Sequence, residues 1–330
     1  MRILLTICFI VCNFIGVFHS AHADEIIDVK YVSYQPSLRE FISGDFRKKP
    51  VNLTAKLFLP SGNGPFPVLF WVHGNGGQNI NELSGWMNLL RKVAFDRGMA
   101  VYVIDSYTER GINGSQAESG AVTLNMAARL TDTFTAASEL VKDKRIDSKR
   151  IFIIGHSFGG LVSVASASTS VIKAVNSLNV EFAGHIPISP ECLTRPSDLS
   201  YNNKPMHIII GANDKRTPAR HCVELVKIME PNKNVQITVL DEWTHTLSVG
   251  SFRPRFLSWD GCGRWIFDEK GGYTIPDVGN FNNGDGMSEF NRALNRCAKT
   301  TEVDEYSTEK IRSNILSLIE TYLDQHVNVK

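Results

Sequence analysis

Ile151-Phe152-Ile153-Ile154-Gly155-His156-Ser157-Phe158-Gly159-Gly160 is the stretch on which the reading of this chain turns. Four apolar residues in succession read as a buried strand. G-x-S-x-G follows, and the small residues of 161–170 keep helix-compatible spacing. On a strand-to-helix turn this tight, the positions two before and two after the serine tolerate almost no side chain, and both, Gly155 and Gly159, are glycine. Such a turn lifts the Ser157 hydroxyl above the sheet edge at a helix N-terminus. It also leaves the N–H of Phe158 free to donate to a developing oxyanion. An ordinary βα loop is the alternative, since glycine and serine are common; the buried strand before and the small-residue helix after favour a nucleophile turn.

Working outward, residues 67–72 form a continuous apolar run that ends at His73-Gly74-Asn75-Gly76-Gly77. Residues 83–97 keep helical spacing, 99–104 read as a buried strand ended by Asp105-Ser106, and 124–142 carry a long amphipathic helix pattern. Beyond Ser157, strands are expected at 185–188, 206–210 and 235–240, with helices at 220–229 and 309–326. Ahead of all these, 26–34 and 51–59 alternate as half-buried antiparallel strands, joined by a loop or irregular crossing over 36–50. The repeated strand–helix–strand order indicates an α/β fold with a mostly parallel central sheet and helices on both faces. Residues around 252–285 break the alternation. A small hairpin (261–267 with 270–275) and the Gly- and Asn-rich 279–286 read as an insertion in a single domain over 24–330.

A serine hydroxyl is a weak nucleophile and needs a base, which needs an orienting acid. On folds with this turn the partners follow in the order Ser, Asp or Glu, His, on loops after later strands. His185 and His207 sit inside strands, and His221 sits on a helix beside Cys222. His245 falls in the loop after the last core strand, where a base belongs. Asp214, in Gly211-Ala212-Asn213-Asp214, directly follows the strand at 206–210 and is the expected acid, ahead of Asp241 and Glu191. The second oxyanion donor is expected from the loop at 73–77, with the N–H of Asn75 first and Gly74 or Gly76 as rivals. His73 reads as an anchor for that loop rather than a base.

The 330 residues carry a formal net charge of +1, with 43% hydrophobic and 21% charged. No basic block longer than Arg47-Lys48-Lys49 appears, so nothing argues for nucleic acid as a partner. Arg2, an apolar core over 3–18 and Ala21-His22-Ala23 read as a signal peptide (1–23) cleaved after Ala23. The apolar run falls short of the ~20 residues that span a bilayer, so no stable membrane anchor is expected after cleavage. The mature chain is then secreted or periplasmic. It keeps Cys192, Cys222, Cys262 and Cys297, which allow three disulfide connectivities. The pairs nearest in sequence, Cys192–Cys222 and Cys262–Cys297, are the expected ones. No C-x-x-C or H-E-x-x-H occurs, so neither a metal nor an organic cofactor is expected.

With the serine turn, the H-G-N-G-G loop, the Asp214 loop and His245 in place, the chain resembles the α/β-hydrolase superfamily, and within it the dienelactone hydrolase-like branch. Ile104-Asp105-Ser106-Tyr107-Thr108-Glu109-Arg110-Gly111 is similar to a segment found there after the strand that follows the H-G loop. The resemblance runs from about residue 51 to the terminal helix and implies the fold and a Ser157–His245–Asp214 triad. The enzymes that give the branch its name use cysteine where this chain has Ser157, so dienelactone itself is not implied. The expected function is a serine hydrolase acting on a small-molecule carboxylic ester. A peptidase or amidase of the same fold is the second reading, disfavoured by the lack of a propeller-like segment ahead of the hydrolase elements. A non-catalytic binding protein on this fold is the third, and it is disfavoured because every triad position can be assigned.

Overall fold

Buried parallel strands must satisfy two apolar layers at once, so their residues serve opposite faces in alternation. The computed structural model of the chain describes residues 25–78, 81–118, 124–229, 234–253, 255–258, 260–275, 279–281, 296–302 and 304–327. In chain order, β1 (Glu25–Tyr34), α1 (Leu38–Ile42), β2 (Pro50–Leu59), β3 (Phe66–Val72), α2 (Asn81–Phe95) and β4 (Ala100–Asp105) form the first half. Then come α3 (Gly114–Glu118), α4 (Met126–Leu140), β5 (Ile146–His156), α5 (Phe158–Ala165) and α6 (Thr169–Ala174). The second half contains β6 (Gly184–Ile188), β7 (Thr194–Pro196), β8 (Met206–Gly211), α7 (Ala219–Met229), β9 (Val235–Leu240) and the C-terminal helix Glu309–His326.

Eight strands make one sheet in the order β1-β2-β4-β3-β5-β6-β8-β9. The β1/β2 and β2/β4 pairs are antiparallel and all the others parallel. Val68, Phe70 and Val72 of β3, with Ile151 and Ile153 of β5, pack with Leu130 and Phe134 of α4 and Leu161 of α5. Their neighbours Leu69, Trp71, Phe152 and Ile154 pack with Trp86 and Leu90 of α2 and with Ile311, Ile315, Ile319 and Leu323 of the C-terminal helix. The terminal helix therefore completes the second layer, and Thr308 caps it by accepting the Ile311 N–H at 3.1 Å.

The strand order places the site. The chain leaves β3 for β4 on one side, then returns past β3 to β5 on the other. The carboxyl ends of β3 and β5 thus flank a switch point, where crevices open in such sheets. Val72 lies opposite Gly155 in the β3/β5 register, so the loop at 73–77 and the turn at Ser157 emerge side by side. On the same edge, Gly211 of β8 lies opposite Leu240 of β9, and the Asp214 and His245 loops leave as neighbours.

Two segments carry more structure than the sequence alone indicates. The 36–50 crossing is not all loop, because α1 lies within it. Ser37 and Glu40 form a reciprocal capping box at its start, a signal legible in Ser37-Leu38-Arg39-Glu40. The hairpin forms between Trp265–Phe267 and Tyr273–Ile275, but it does not stand apart from the earlier chain. Trp265–Phe267 pairs in parallel with β7, in a four-stranded sheet that Gly279–Phe281 completes at the far edge. Cys192 is bonded to Cys222 and Cys262 to Cys297, the two pairs expected. The expected signal segment 1–23 and residues 282–286 of the Gly- and Asn-rich stretch lie outside the described residues. Among the described residues no helix is long and apolar enough to cross a membrane.

Candidate active site

Ser157 has φ 56° and ψ −118°, a left-handed conformation rare for a residue with a side chain. The glycines around it make that turn possible. A Cβ on Gly159 would lie 2.0 Å from the Val72 carbonyl oxygen, and one on Gly155 2.4 Å from the Gly159 oxygen. The turn is fastened by the Ser157 N–H donating to the Ile188 carbonyl of β6 at 2.9 Å. Ser157 stands at the N-terminus of α5 without capping it, so the hydroxyl is free for other partners.

That partner is His245. Its Nε2 is 2.9 Å from Ser157 Oγ, and its Nδ1 is 2.8 Å from Asp214 Oδ2. A carboxylate only accepts, so the ring proton sits on Nδ1 and Nε2 presents its lone pair to the serine hydroxyl. His245 and Asp214 are buried, at 4% and 2% exposure, so water competes little for these contacts. Asp214 is itself held: Oδ1 accepts the N–H of Arg216 at 2.9 Å and of Thr217 at 2.8 Å, and Oδ2 lies 2.9 Å from the Thr217 hydroxyl. Of the rival acids, Asp241 is exposed and touches this loop through its backbone carbonyl, which accepts from Asn213 Nδ2 at 2.9 Å. Glu191 turns its Oε1 back to the N–H groups of Leu193 and Thr194. The rejected histidines lie in the interior: His185 Nδ1 is 3.0 Å from the Ser163 carbonyl, and His207 Nε2 is 2.8 Å from Thr238 Oγ1. His221 is buried on α7.

The His245 loop has a fastening that sequence reasoning missed. His156, the variable residue inside G-x-S-x-G, places Nε2 2.8 Å from the His245 carbonyl, so its Nε2–H donates there. Desolvation first, and the neighbouring His245 second, hold the His156 imidazole down at about 3, which keeps it a neutral donor. Thr217 was missed too, although Asp214-x-x-Thr217 is the pattern of an Asp-initiated turn.

The loop at 73–77 lies against the serine turn: a Cβ on Gly74 would come within 3.2 Å of Ser157 Cβ. His73 is fully buried, and burial followed by the Arg129 charge lowers its imidazole to about 3. Its Nε2 accepts the Ser106 N–H at 3.1 Å, which puts the ring proton on Nδ1, 2.7 Å from the Gly74 carbonyl. With its lone pair occupied, His73 is an anchor, as its place in the sequence suggests. Gly77 N–H donates to the same Gly74 carbonyl at 3.2 Å. In a trans peptide the N–H points opposite the C=O, so the Asn75 N–H is turned away from this pair of donors. The Asn75 side chain is held by Tyr107, whose hydroxyl donates to Oδ1 at 3.4 Å. Behind this, the Asp105–Gly111 segment is tied to α4 by a buried, two-bond pairing of Arg110 with Asp132, each contact 2.8 Å. Among the described residues no cluster of three His, Cys, Asp or Glu side chains could hold a metal ion.

A mostly parallel eight-stranded sheet covered on both faces, with a serine turn after β5 and a histidine loop after β9, is the α/β-hydrolase fold. The model of the dienelactone hydrolase family matches residues 53–251, and the chain belongs to that family. The chain is similar to esterase EstD of Thermotoga maritima, 21% identical over 245 residues that cover 60% of this chain and 58% of EstD. It thus spans under two thirds of that relative's length. Among solved structures, esterase Pf2001 of Pyrococcus furiosus superposes with a TM-score of 0.48 at 17% identity, covering 68% of this chain and 85% of that one. The acylaminoacyl peptidase of Pyrococcus horikoshii gives 0.45 at 14% identity, over 69% of this chain and 38% of that one.

Proposed function

We propose that this chain is an exported serine hydrolase that cleaves a small-molecule carboxylic ester through an acyl-enzyme. The observation that carries this reading is the relay from Ser157 Oγ through the His245 ring to Asp214, with both contacts under 3 Å. His245 Nε2 takes the serine proton as Oγ attacks the acyl carbon, and Asp214 holds the resulting imidazolium. The carbonyl oxygen becomes an oxyanion facing the N–H groups of Phe158 and Asn75. The tetrahedral intermediate collapses as His245 returns the proton to the departing alcohol oxygen. Water, deprotonated by the same nitrogen, then attacks the acyl-serine and releases the acid. Every proton is carried by His245, so the reaction needs no metal or organic cofactor.

In this reading residues 1–23 are removed on export, and 24–330 are one hydrolase domain with an insertion around 252–285. The two disulfides are compatible with an extracellular or periplasmic protein. Membership of the dienelactone hydrolase family and the likeness to an esterase favour ester over amide bonds.

The test combines labelling with turnover. A fluorophosphonate should label the purified protein at Ser157. A series of p-nitrophenyl esters graded in acyl length should be hydrolysed in preference to the matching p-nitroanilides. Ser157→Ala should keep the circular dichroism spectrum and lose several orders of magnitude in turnover. Turnover by that variant within a few-fold of wild type would reject the assignment, and anilide preference would favour the amidase reading.

A further inference from the structure

Arg129 on α4 is fully buried, yet among the described residues no carboxylate pairs with it. Its Nη2 donates to the carbonyl of His73, the first residue of the 73–77 loop, and its Nη1 lies 3.4 Å from the ring of the same residue. The guanidinium carbon stands 5.3 Å from the centroid of Phe158 and 5.3 Å from that of Tyr107. Tyr107 is the residue whose hydroxyl holds the Asn75 side chain. One cation therefore touches the loop of Asn75, the support of Asn75, and the ring of Phe158.

The placement is costly, which argues that packing alone does not explain it. A buried cation without a carboxylate forfeits its hydration for a carbonyl and two aromatic faces, and Arg129 Nε has no partner at all. It also stands near the N-terminal end of α4, where the helix dipole disfavours positive charge. A leucine or methionine there would avoid both costs.

We propose that Arg129 is a positioning residue for the oxyanion site, setting the two N–H donors of Phe158 and Asn75 relative to each other across the cleft between β3 and β5. The inference rests on the serine-hydrolase reading given above. The physical route is short. Pinning the His73 carbonyl fixes the peptide plane that leads into Gly74. His73 Nδ1–H and Gly77 N–H fix the next plane, and with it the direction of the Asn75 N–H. On the other side of the cleft the planar guanidinium covers the Phe158 ring, and the Phe158 backbone belongs to the serine turn. A donor displaced by a fraction of an ångström from the oxyanion loses its effect on the transition state while barely changing ground-state binding.

The experiment compares wild type, Arg129→Met and Arg129→Lys on p-nitrophenyl acetate, with rates normalised to active sites titrated by a fluorophosphonate. Arg129→Met should lose ~100-fold in kcat per titrated site, the scale of a lost oxyanion donor, with KM changed less than about threefold. Arg129→Lys keeps charge and bulk but neither the planar fork nor ring coverage, and should lose ~10-fold. A purely structural role would lower the melting temperature and the fraction of titratable sites, and leave kcat per site intact. That result, or kcat within about threefold of wild type in both variants, overturns the proposal. If Arg129→Met does not fold, Arg129→Lys decides on the same criterion. Ser157→Ala runs beside them: full activity in that variant overturns the site reading itself and this inference with it, whereas an inert Ser157→Ala beside unchanged Arg129 variants overturns this inference alone.

Discussion

Glu191, the rival carboxylate that does not reach His245, makes a sharp prediction of another kind. It is 7% exposed; its Oε1 accepts two backbone N–H groups while Oε2 has no partner. Burial outweighs the Thr194 hydroxyl, the two backbone N–H groups and the nearby Arg195 charge, and pushes the carboxyl from its ordinary 4.5 up to about 7. Between those values the folded protein binds a proton that the unfolded chain has released. Stability therefore falls as pH rises from 4.5 to about 7 and is flat above. At ~1.4 kcal/mol for each pH unit, the ionised group costs ~3 kcal/mol at pH 8 and almost nothing at pH 4.5. Glutamine keeps the acceptor for both N–H groups and removes the charge. Glu191→Gln should thus gain ~3 kcal/mol at pH 8, a rise of roughly 5–10 °C in melting temperature, and nothing near pH 4.5. Scanning calorimetry on both proteins from pH 4.5 to 8.5 isolates the effect, since acid-sensitive groups such as His73 are common to both and cancel. A pH-independent difference, or a variant less stable at pH 8, would refute the reasoning, because the carboxylate would then be compensated in the fold.

Three further outcomes are expected. Asp214→Asn should lose most of kcat with little change in KM, because orienting the base matters chiefly in the transition state, whereas Asp241→Asn and Glu191→Gln should stay near wild type in the same assay. Gly159→Ala should be destabilised by ~1–3 kcal/mol in urea unfolding and should also lose turnover, since the new Cβ can be relieved only by moving α5 from the Val72 carbonyl. Replacing Cys192 and Cys222 together by alanine should lower stability by ~2–5 kcal/mol with kcat per titrated site retained, as the bridge ties the chain after β6 to α7 and touches no member of the relay.

What could be read from the sequence follows from range. The strands at 67–72 and 151–154 announce themselves because a strand buried on both faces must be apolar at every position. The serine turn is legible because its glycines face backbone atoms, a demand that no other residue meets. Asp214 and His245 were reached by chain order, as each follows its strand within a few residues. Apart from the local signals of Ser37–Glu40 and Asp214–Thr217, what stayed hidden depends on partners distant in sequence. The three residues of β7 form a strand only because Trp265–Phe267 returns to pair with them. Arg129 reads in the sequence as one polar residue of an amphipathic helix, and nothing local says that the loop after β3 will lie against it. His156 is similar: its position in the motif is free, and its role is set by a carbonyl 89 residues away.

These hidden contacts share a purpose that the strained serine makes plain. A left-handed Ser157 costs ~1–3 kcal/mol and persists only where its surroundings over-determine it. The surroundings here are hydrogen bonds to backbone groups from different elements of the fold. Ile188 of β6 accepts the Ser157 N–H. His156 donates to the His245 carbonyl, the Thr217 hydroxyl lies 3.1 Å from the Ser189 carbonyl after β6, and Arg129 holds the His73 carbonyl. Each ties a loop at the carboxyl edge of the sheet to a neighbouring element rather than to itself. Moving any one loop therefore strains a contact made by another. The side chains of the relay are fixed relative to one another by this mesh as well as by the two hydrogen bonds they share.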